Sequence, residues 1–427
     1  MSGKNSNIVA HNIFGEGVII ERRWDDAQAR VQFRSGLTLW LPAKWLKPLS
    51  VTEKEIDRVA AKRMLEAFRL GIVPHQDVEY FTFGRGYEID ALEQGLQRLR
   101  DGTGDAYVIQ GTYGSGKSHL LEYIRHRALK LGLATSCAAL HIQETPPHRP
   151  KKIYHDLVYG LRYIARDAEY GFRDLLIDAA ERLEIDDHCF FTPVLKRVRE
   201  LDAGDLRQEV FWQWIEGEST KEYATDKTSP YRIRGGHEIP ALYDFSTAAD
   251  FYNYILSGLS AICHRLGLGG LVIILDEFET LAHVWESALY RRGSDFLEGL
   301  IRVALNDAEM KKMDRRLTHN QVRPTPYSYQ ESRILLVLAT TPSENTPITD
   351  LCDKKIFLRK LSRPELELIF DNLVKLYQCA YPGFAPESGP RENVLTAALN
   401  RNREELREFI KFTVDALDWM RLNRGDR

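Results

Sequence analysis

The sequence lacks several features that would place it in a specialised class of protein. Its five cysteines stand singly, with no CxxC pair and no histidine spacing suited to zinc, so they are typical of reduced thiols in a cytosolic protein. An excess of one charge is also missing, because 58 Lys and Arg stand against 61 Asp and Glu. Any contact with nucleic acid must therefore come from a local patch.

Long apolar runs are absent as well. No stretch approaches the roughly 18 apolar residues of a membrane-spanning helix, and the opening MSGKNSNIVAHNIF lacks the apolar run of a signal peptide. A cytoplasmic protein is therefore expected. At 427 residues the chain exceeds the usual size of a single core, which predicts two or three structural units.

The first fifty residues differ in texture from the rest. Short apolar runs separated by the turn-like FGEG, WDDAQ and RSG predict hairpins, hence a small β-barrel or curled sheet over residues 1–50. The pattern resembles the SH3-like, Tudor-like module of UvrD-type helicases and CarD-type transcription factors. A structural role in turns and core explains most of the matching residues, and a docking surface through Trp24, Trp40 or Trp45 is the alternative. The matching residues are Val9, His11, Phe14, Gly15, Gly17, Val18, Val31, Phe33, Leu46 and Leu49.

Beyond Val51, helical patterns alternate with short apolar runs: AYVIQ, ATSCAALHI, LVIILDE and RILLVLATT. Strands that are apolar on both faces and separated by helices predict a parallel sheet covered by helices. Residues 51–345 are assigned to an α/β core with a leading helix, and 195–259 within it to a helical insertion with a polar loop. Residues 346–427 are predicted to form a C-terminal helical region.

The stretch VIQGTYGSGKSHLLEYI fits the pattern G-x-x-x-x-G-K-[ST] between a predicted strand and a predicted helix. The glycines let consecutive backbone N–H groups point into one concavity, and the helix adds its positive end. Lys117 is expected to reach the β- and γ-phosphates of ATP, and the Ser118 hydroxyl to ligate Mg²⁺. A plain tight turn is the alternative. The candidate nucleotide-binding residues are Gly111, Thr112, Tyr113, Gly114, Ser115, Gly116, Lys117, Ser118 and His119.

A second predicted strand, in GLVIILDEFETL, ends in two acids. The apolar run Leu271 to Leu275 indicates a buried strand, and Asp276 and Glu277 follow at its carboxyl end. Asp276 is expected to hold Mg²⁺ through water, and Glu277 to polarise the attacking water as a general base. A helix cap at Asp276 and a solvated Glu277 form the alternative.

Together these features resemble an AAA+ ATPase, and more closely the BREX-type, BrxC/BrxD-like ATP-binding P-loop proteins of prokaryotic phage defence. The resemblance runs from about Thr52 to Asp418. It implies an α/β fold: an AAA+ P-loop NTPase core with a C-terminal helical lid, preceded here by the small SH3-like β-barrel. Besides the two motifs it rests on AFRLGIVP, FTFGRGYEIDAL, HRPKKIYHDLVYGLR, FLRKLSRPELELIFDNLVKLYQCAYPG and LREFIKFTVDALD.

The resemblance implies roles for residues outside the two motifs. The strand that ends in Thr340 and Thr341 would lie between the two motif strands, and one of these threonines would be the sensor that orients water. Two β-branched residues that merely close a strand are the alternative. Phe83, Gly84 and Arg85 would lie against the adenine, unless they form only the turn before a helix.

Arginines complete the site that the resemblance implies. Arg407, which matches better than Arg403, would be the sensor 2 arginine of the lid. Arg291 and Arg292, with Arg302 behind them, are candidates for the arginine that AAA+ assemblies supply to a neighbouring subunit, so a homo-oligomer is implied. Solvated helix arginines are the alternative in each case.

A basic loop, KKMDRRLTHNQVRPTPYSYQ, precedes the sensor strand. In the rings of the resembling family, loops of this region can face the central channel, where Lys311, Lys312, Arg315 and Arg316 would suit a DNA backbone. A solvated run of charges is the alternative.

The expected function is Mg²⁺-dependent ATP hydrolysis that drives assembly or remodelling of a DNA-associated antiphage defence complex. The implied protein partner is a helicase, nuclease or methyltransferase. One alternative is a nucleotide-binding regulatory scaffold with little intrinsic hydrolysis, docking a partner helicase or nuclease. A small-molecule kinase is a third possibility, which the acid pair and the lid pattern disfavour.

Overall fold

The computed structural model divides into two compact units. Met1–Ala91, Tyr113–Tyr123 and Leu358–Arg427 make up the first, and Leu92–Thr112 and Ile124–Phe357 make up the second. The residues that the structure describes are 8–11, 15–23, 27–33, 37–48, 56–75, 77–82, 85–201, 207–218, 239–240, 242, 249–313, 325–342, 347–386, 388–401 and 405–423.

The first unit begins with an antiparallel sheet, as the hairpin pattern predicts. Its strand order is β4-β3-β2-β1-β5. Val9, Val31 and Leu46 are buried in its small core, which supports a structural role for these three residues. Phe14, Trp24 and Leu49 lie outside the described residues. The strands are β1 (Ile8–His11), β2 (Gly15–Arg23), β3 (Gln28–Phe33), β4 (Thr38–Pro42) and β5 (Lys47–Pro48).

The second unit is built on a parallel sheet in the order β12-β6-β11-β10-β7, which confirms the predicted α/β core. Four of these strands match the four apolar runs of the sequence. The fifth, β12, lies beyond the predicted core boundary at 345; its sequence KKIF carries too few apolar residues to stand out. The strands of this unit are β6 (Asp105–Gln110), β7 (Ala134–Ala139), β8 (Tyr163–Ala165), β9 (Ala168–Tyr170), β10 (Leu271–Asp276), β11 (Ile334–Thr340) and β12 (Lys354–Phe357).

Helices make up much of the remaining described chain. None of them, within the described ranges, is both long enough and apolar enough to cross a bilayer. They are α1 (Arg58–Arg69), α2 (Gly86–Arg100), α3 (Lys117–Lys130), α4 (Pro150–Tyr159), α5 (Phe172–Arg182), α6 (Phe191–Arg199), α7 (Arg207–Ile215), α8 (Ala249–Arg265), α9 (Ser287–Ala304), α10 (Arg363–Ala380), α11 (Ser388–Arg401) and α12 (Leu406–Leu422).

Helix α7 and the first part of α8 fall within the predicted insertion at 195–259. Helix α7 is held to the rest of the second unit by Arg173 of α5, which donates to the carboxylates of Glu209 and Glu216 over 2.6–2.9 Å. The Tyr154 hydroxyl of α4 also donates to the Ile215 carbonyl at 2.8 Å. Most of the described part of the insertion is therefore helical, and α7 packs into the second unit.

In the first unit, α1, α10 and α12 share one apolar core. Phe68, Phe370 and Phe409 meet there, each from a different helix. The Arg69 guanidinium donates to both carboxylate oxygens of Asp418, at 2.6 and 2.8 Å, and so ties α1 to α12. The leading helix and the C-terminal helices thus form one packed body.

Candidate functional site

The ends of three parallel strands define the candidate site in the second unit. Strand β11 lies between β6 and β10, as predicted, and Gln110 at the end of β6 is in register with Thr340 at the end of β11. The N–H of Gly111 donates to the Thr340 carbonyl at 3.2 Å, so the predicted phosphate loop starts at this edge of the sheet. Asp276 ends the neighbouring strand β10 at the same edge.

The phosphate loop turns on two glycines. Gly114 and Gly116 have φ angles of +72° and +97°, a region that residues with a side chain rarely adopt. A Cβ on Gly114 would stand 3.1 Å from the side chain of Glu405, so bulk is also excluded there. Helix α3 follows from Lys117 and presents its N-terminal end to the loop. The loop thus has the backbone that a phosphate cradle requires.

Arg85 lies behind this loop in the first unit. Its side chain is buried, with 7% of the residue exposed, and its Nη2 donates to the Ser115 carbonyl at 2.6 Å. Its Nη1 donates to the Arg359 carbonyl at 3.1 Å and to Glu88 at 3.3 Å. Burial lowers the pKa of Arg85, and the charge of Glu88 opposes that shift. The other two predicted adenine residues, Phe83 and Gly84, lie outside the described residues.

His119, the last predicted loop residue, packs beneath the start of α3. Its Nε2 lies 2.9 Å from the Thr82 hydroxyl, which itself donates to the Val78 carbonyl at 2.6 Å. Because that hydroxyl proton is already used, the histidine nitrogen is the donor of the pair. Burial, with a smaller contribution from the charge of Arg85, lowers the pKa of His119 to about 4. His119 is therefore neutral near pH 7 and contacts Thr82, and its place among the nucleotide-binding residues stays a prediction.

The N-terminal end of α12 contacts the phosphate loop directly, within the first unit. The N–H of Leu406 donates to the Gly114 carbonyl at 3.2 Å. Arg407 places its guanidinium carbon 5.9 Å from the ring centre of Tyr113, which is 70% exposed. The predicted sensor arginine therefore stands beside a loop residue. Arg403 lies outside the described residues.

The acidic strand end carries an unusual backbone. Glu277 is exposed and has a φ of +55°, the left-handed region that a non-glycine residue adopts at a cost. Its N–H donates to the carboxylate of Asp276 at 2.8 Å. The turn therefore lifts the Glu277 side chain off the line of the strand and leaves it in solvent.

The two candidate sensor threonines differ in exposure. Thr340 is fully buried, and its hydroxyl donates to the Thr341 carbonyl at 3.1 Å. Thr341 is partly exposed, and its N–H donates to the Glu279 carboxylate at 3.0 Å. Glu279, in the DEFE run, was not singled out from the sequence, although an acid two residues after the pair was a visible signal. It links the ends of β10 and β11.

The arginines proposed to act on a neighbouring subunit lie on the surface of the second unit. Arg291 and Arg292 are both exposed in the first turns of α9, and Trp285, just before that helix, is 100% exposed. Arg302 instead donates to Asp307 at 2.7 Å and is half-buried. Trp285 is a further candidate that the sequence pattern did not reveal.

The basic loop is only partly described. Lys311 and Lys312 are exposed, and Lys312 pairs with Glu309 at 2.6 Å. Arg315 and Arg316 lie outside the described residues. Only two of the four predicted contact residues are therefore described, and the DNA contact stays a prediction.

One protein-family model matches the part of the chain that contains the phosphate loop. Residues 56–181 match the family model described as BREX system ATP-binding protein BrxC/D. The predicted resemblance to that family is therefore confirmed over this part of the chain, which contains Arg85 and the whole phosphate loop. No curated protein matches the sequence.

Solved structures are similar at low identity. The Aeropyrum pernix ORC1 protein in complex with DNA is similar over 82% of this chain and 65% of its own, with 13% identity and a TM-score of 0.37. The chain thus spans just under two thirds of that protein. Caenorhabditis elegans PCH-2 is similar over 83% and 74%, with 10% identity and a TM-score of 0.32. A chain of the E. coli MS115-1 HORMA:CdnC:Trip13 complex is similar over 84% and 86%, with 12% identity and a TM-score of 0.31.

The residues present fit the group that the BrxC/D family name implies. A loop with left-handed glycines and a helix N-terminus suits a phosphate chain, and a lysine begins that helix. The loop therefore fits ATP, the ligand that the family name gives.

Proposed function

We propose that the chain is an AAA+ ATPase of the BrxC/BrxD-like family that binds and hydrolyses ATP with Mg²⁺. The observation that supports this most is the shared edge of β6, β11 and β10, where the phosphate loop starts beside a polar strand end and an acid pair. Plain turns explain the loop alone. They do not explain why Glu277, an exposed acid in a left-handed conformation, follows β10, which is two strands from β6 in the sheet.

In this proposal each motif residue has one task. Lys117 would contact the β- and γ-phosphates, while Ser118 and Asp276 would hold the metal ion. Mg²⁺, when bound, neutralises charge on the phosphate oxygens. Glu277 accepts the proton of the attacking water, and its exposed, lifted side chain suits that task.

The sensor role is divided between two threonines. Thr340 is buried and bonded to a backbone carbonyl, so we assign it the positioning of the strand end. Thr341 is the partly exposed residue, and Glu279 fixes its backbone. We assign the contact with the attacking water to Thr341, and the contact with the γ-phosphate to Arg407 of the lid.

A homo-oligomer would complete the site. Exposed arginines at Arg291 and Arg292 suit the developing charge on a phosphate of a neighbouring copy. Trp285, just before α9, is an exposed large aromatic side chain, and such side chains are enriched at protein interfaces. We therefore place the subunit interface on the surface of Trp285 and the start of α9.

The biological role follows the family. We propose that turnover drives assembly or remodelling of a DNA-associated antiphage defence complex in the cytoplasm, with a helicase, nuclease or methyltransferase as protein partner. The antiparallel sheet of residues 8–48 would close into an SH3-like module that docks that partner. DNA would contact the basic loop that begins at Lys311.

Glu277→Gln tests the hydrolysis. We expect steady-state phosphate release to fall by roughly 100-fold or more, because a positioned general base contributes on that order, while ATP affinity stays within about twofold of wild type. The measurement is phosphate release with and without duplex DNA, alongside ATP binding at equilibrium. Glu181→Gln, at an exposed position of α5, is the matched control and should match wild type.

The same data separate the alternatives. Wild type that binds ATP but releases phosphate no faster than Glu277→Gln, with or without DNA, would support the nucleotide-binding scaffold instead. Transfer of phosphate to a metabolite rather than to water would support a kinase.

A further inference from the structure

Resting on the ATP site proposed above, we propose that Arg85 is a positioning residue that fixes the phosphate loop from behind. The family resemblance places this residue against the adenine base. The described side chain instead ends on the backbone of the loop, where its Nη2 donates to the Ser115 carbonyl at 2.6 Å. Arg85 would therefore act on the phosphates through the loop, without touching the base.

The geometry of a peptide group explains how this contact would act. In a trans peptide the C=O and the N–H of the next residue point in opposite directions from one plane. A guanidinium that holds the Ser115 carbonyl on one side therefore turns the Gly116 N–H to the other. The N–H of Leu406 holds the preceding carbonyl, that of Gly114, at 3.2 Å. Two consecutive peptide planes are thus fixed, and the N–H groups of Ser115 and Gly116 turn away from the residues that hold them.

The contact has the features of a built support. Arg85 is buried at 7% exposure, and its counter-charge, Glu88, is buried as well. The guanidinium also donates to the Arg359 carbonyl at 3.1 Å, just ahead of α10. Its Nη2 lies 3.9 Å from where a Cβ on Gly116 would stand, so the cation lies immediately behind the loop. A charged donor in such a site makes a stronger hydrogen bond than a neutral one.

Side chains around Arg359 hold the second acceptor in place. The Arg359 guanidinium donates to both carboxylate oxygens of Glu365, at 2.6 and 2.8 Å. Glu365 is itself buried and accepts from the N–H and the hydroxyl of Ser362, both at 2.8 Å. The planar fork of Arg85 therefore spans two fixed carbonyls. A lysine, whose three donors leave from one nitrogen, cannot reproduce that span.

The test uses the full chain with Arg85→Lys, Arg85→Gln and the control Arg63→Lys. Arg63 lies in the same unit and pairs with Asp77 at 2.6 Å, so it reports the general effect of losing an arginine fork. Equilibrium binding is measured for ATP, for GTP and for inorganic tripolyphosphate, which has no base. Thermal unfolding of each variant shows whether it is folded. Arg85→Lys keeps the buried charge and carries the test if Arg85→Gln unfolds.

We expect Arg85→Lys to weaken all three ligands by the same factor, roughly 10-fold, because a hydrogen bond from a charged donor contributes on that order. Arg85→Gln should weaken them further, the ratio of ATP to GTP affinity should stay constant, and Arg63→Lys should match wild type. Unchanged tripolyphosphate affinity in the folded variants would overturn the proposal. A changed ATP to GTP ratio would place Arg85 at the base instead. Wild type that binds none of the three ligands would overturn the ATP site itself.

Discussion

The phosphate loop and the acidic strand end use the same left-handed backbone in opposite ways. In the loop the positive φ angles fall on Gly114 and Gly116, where no side chain pays a steric cost. At the strand end the positive φ falls on Glu277, which costs about 1 kcal/mol or more. The difference shows what each region supplies: backbone N–H groups in one, and a carboxylate in the other.

The two regions also differ in how their contacts are spread along the chain. The loop is supported by Arg85 and by Leu406, which are far from it in sequence. The acidic end is shaped by neighbours: the Glu277 N–H donates to Asp276, and the Thr280 N–H donates to the Glu277 carbonyl at 2.9 Å. Substitutions at residues distant in sequence should therefore change the phosphate loop more readily than they change the turn at Glu277.

The largest effect is expected from Gly116→Ala. At a φ of +97° an alanine forces the loop to change shape, so several charge-assisted hydrogen bonds to phosphate are lost and ATP affinity falls by roughly 100-fold. Gly132→Ala is the control, because Gly132 also has a positive φ, +76°, but a Cβ there meets nothing within 4 Å. It should lower stability by about 1 kcal/mol without changing ATP affinity. Equal ATP affinities in the two variants would remove the loop from the binding site.

A smaller effect, a gain in stability, is expected from a glycine at the acidic end. Glu277→Gly removes the cost of a side chain in the left-handed region, so the free energy of unfolding should rise by up to about 1 kcal/mol. Glu277→Gln keeps that cost and should leave stability unchanged. Thermal unfolding and urea titration of the pair give the comparison. A glycine variant no more stable than the glutamine variant would show that Glu277 carries no strain.

The sequence sufficed for the parts of the site that depend on local pattern. Apolar runs that end in a glycine loop, an acid pair or a threonine pair predict β6, β10 and β11, and the loop residues follow from their spacing. Strand β12 was missed because a four-residue strand with two lysines has no apolar period. Its place is decided by pairing with β6, which is a tertiary interaction.

Residues that act through distant partners could not be assigned from one sequence. Arg85 stands in a recognisable FGR turn, but nothing in that pattern shows that its guanidinium ends on Ser115 and Arg359. The choice between Thr340 and Thr341 likewise depends on where β11 ends, because Thr340 is its last, buried residue and Thr341 lies just beyond it and is partly exposed. In physical terms, the missing information is the packing that sets side-chain direction.

The last predicted effect concerns a half-buried histidine next to the phosphate loop. Burial lowers the pKa of His119 to about 4, below the ordinary value of 6.5. The unfolded chain therefore takes up a proton first as the pH falls, so stability is unaffected above pH 6.5 and is lost between pH 6.5 and about 4. Because the residue is partly exposed, we expect a loss on the order of 1 kcal/mol at pH 5. Urea unfolding at pH 7.5 and pH 5 measures it.

Two variants locate this acid sensitivity in one region or the other. His119→Gln keeps a donor for the Thr82 hydroxyl but does not titrate, so it should lose less stability than wild type between the two pH values. His283→Gln removes an exposed histidine that follows the acidic strand end and should behave as wild type. If both variants lose as much stability as wild type, His119 does not carry the acid response. If only His283→Gln keeps its stability at pH 5, the acid sensitivity belongs to the acidic strand end and not to the phosphate loop.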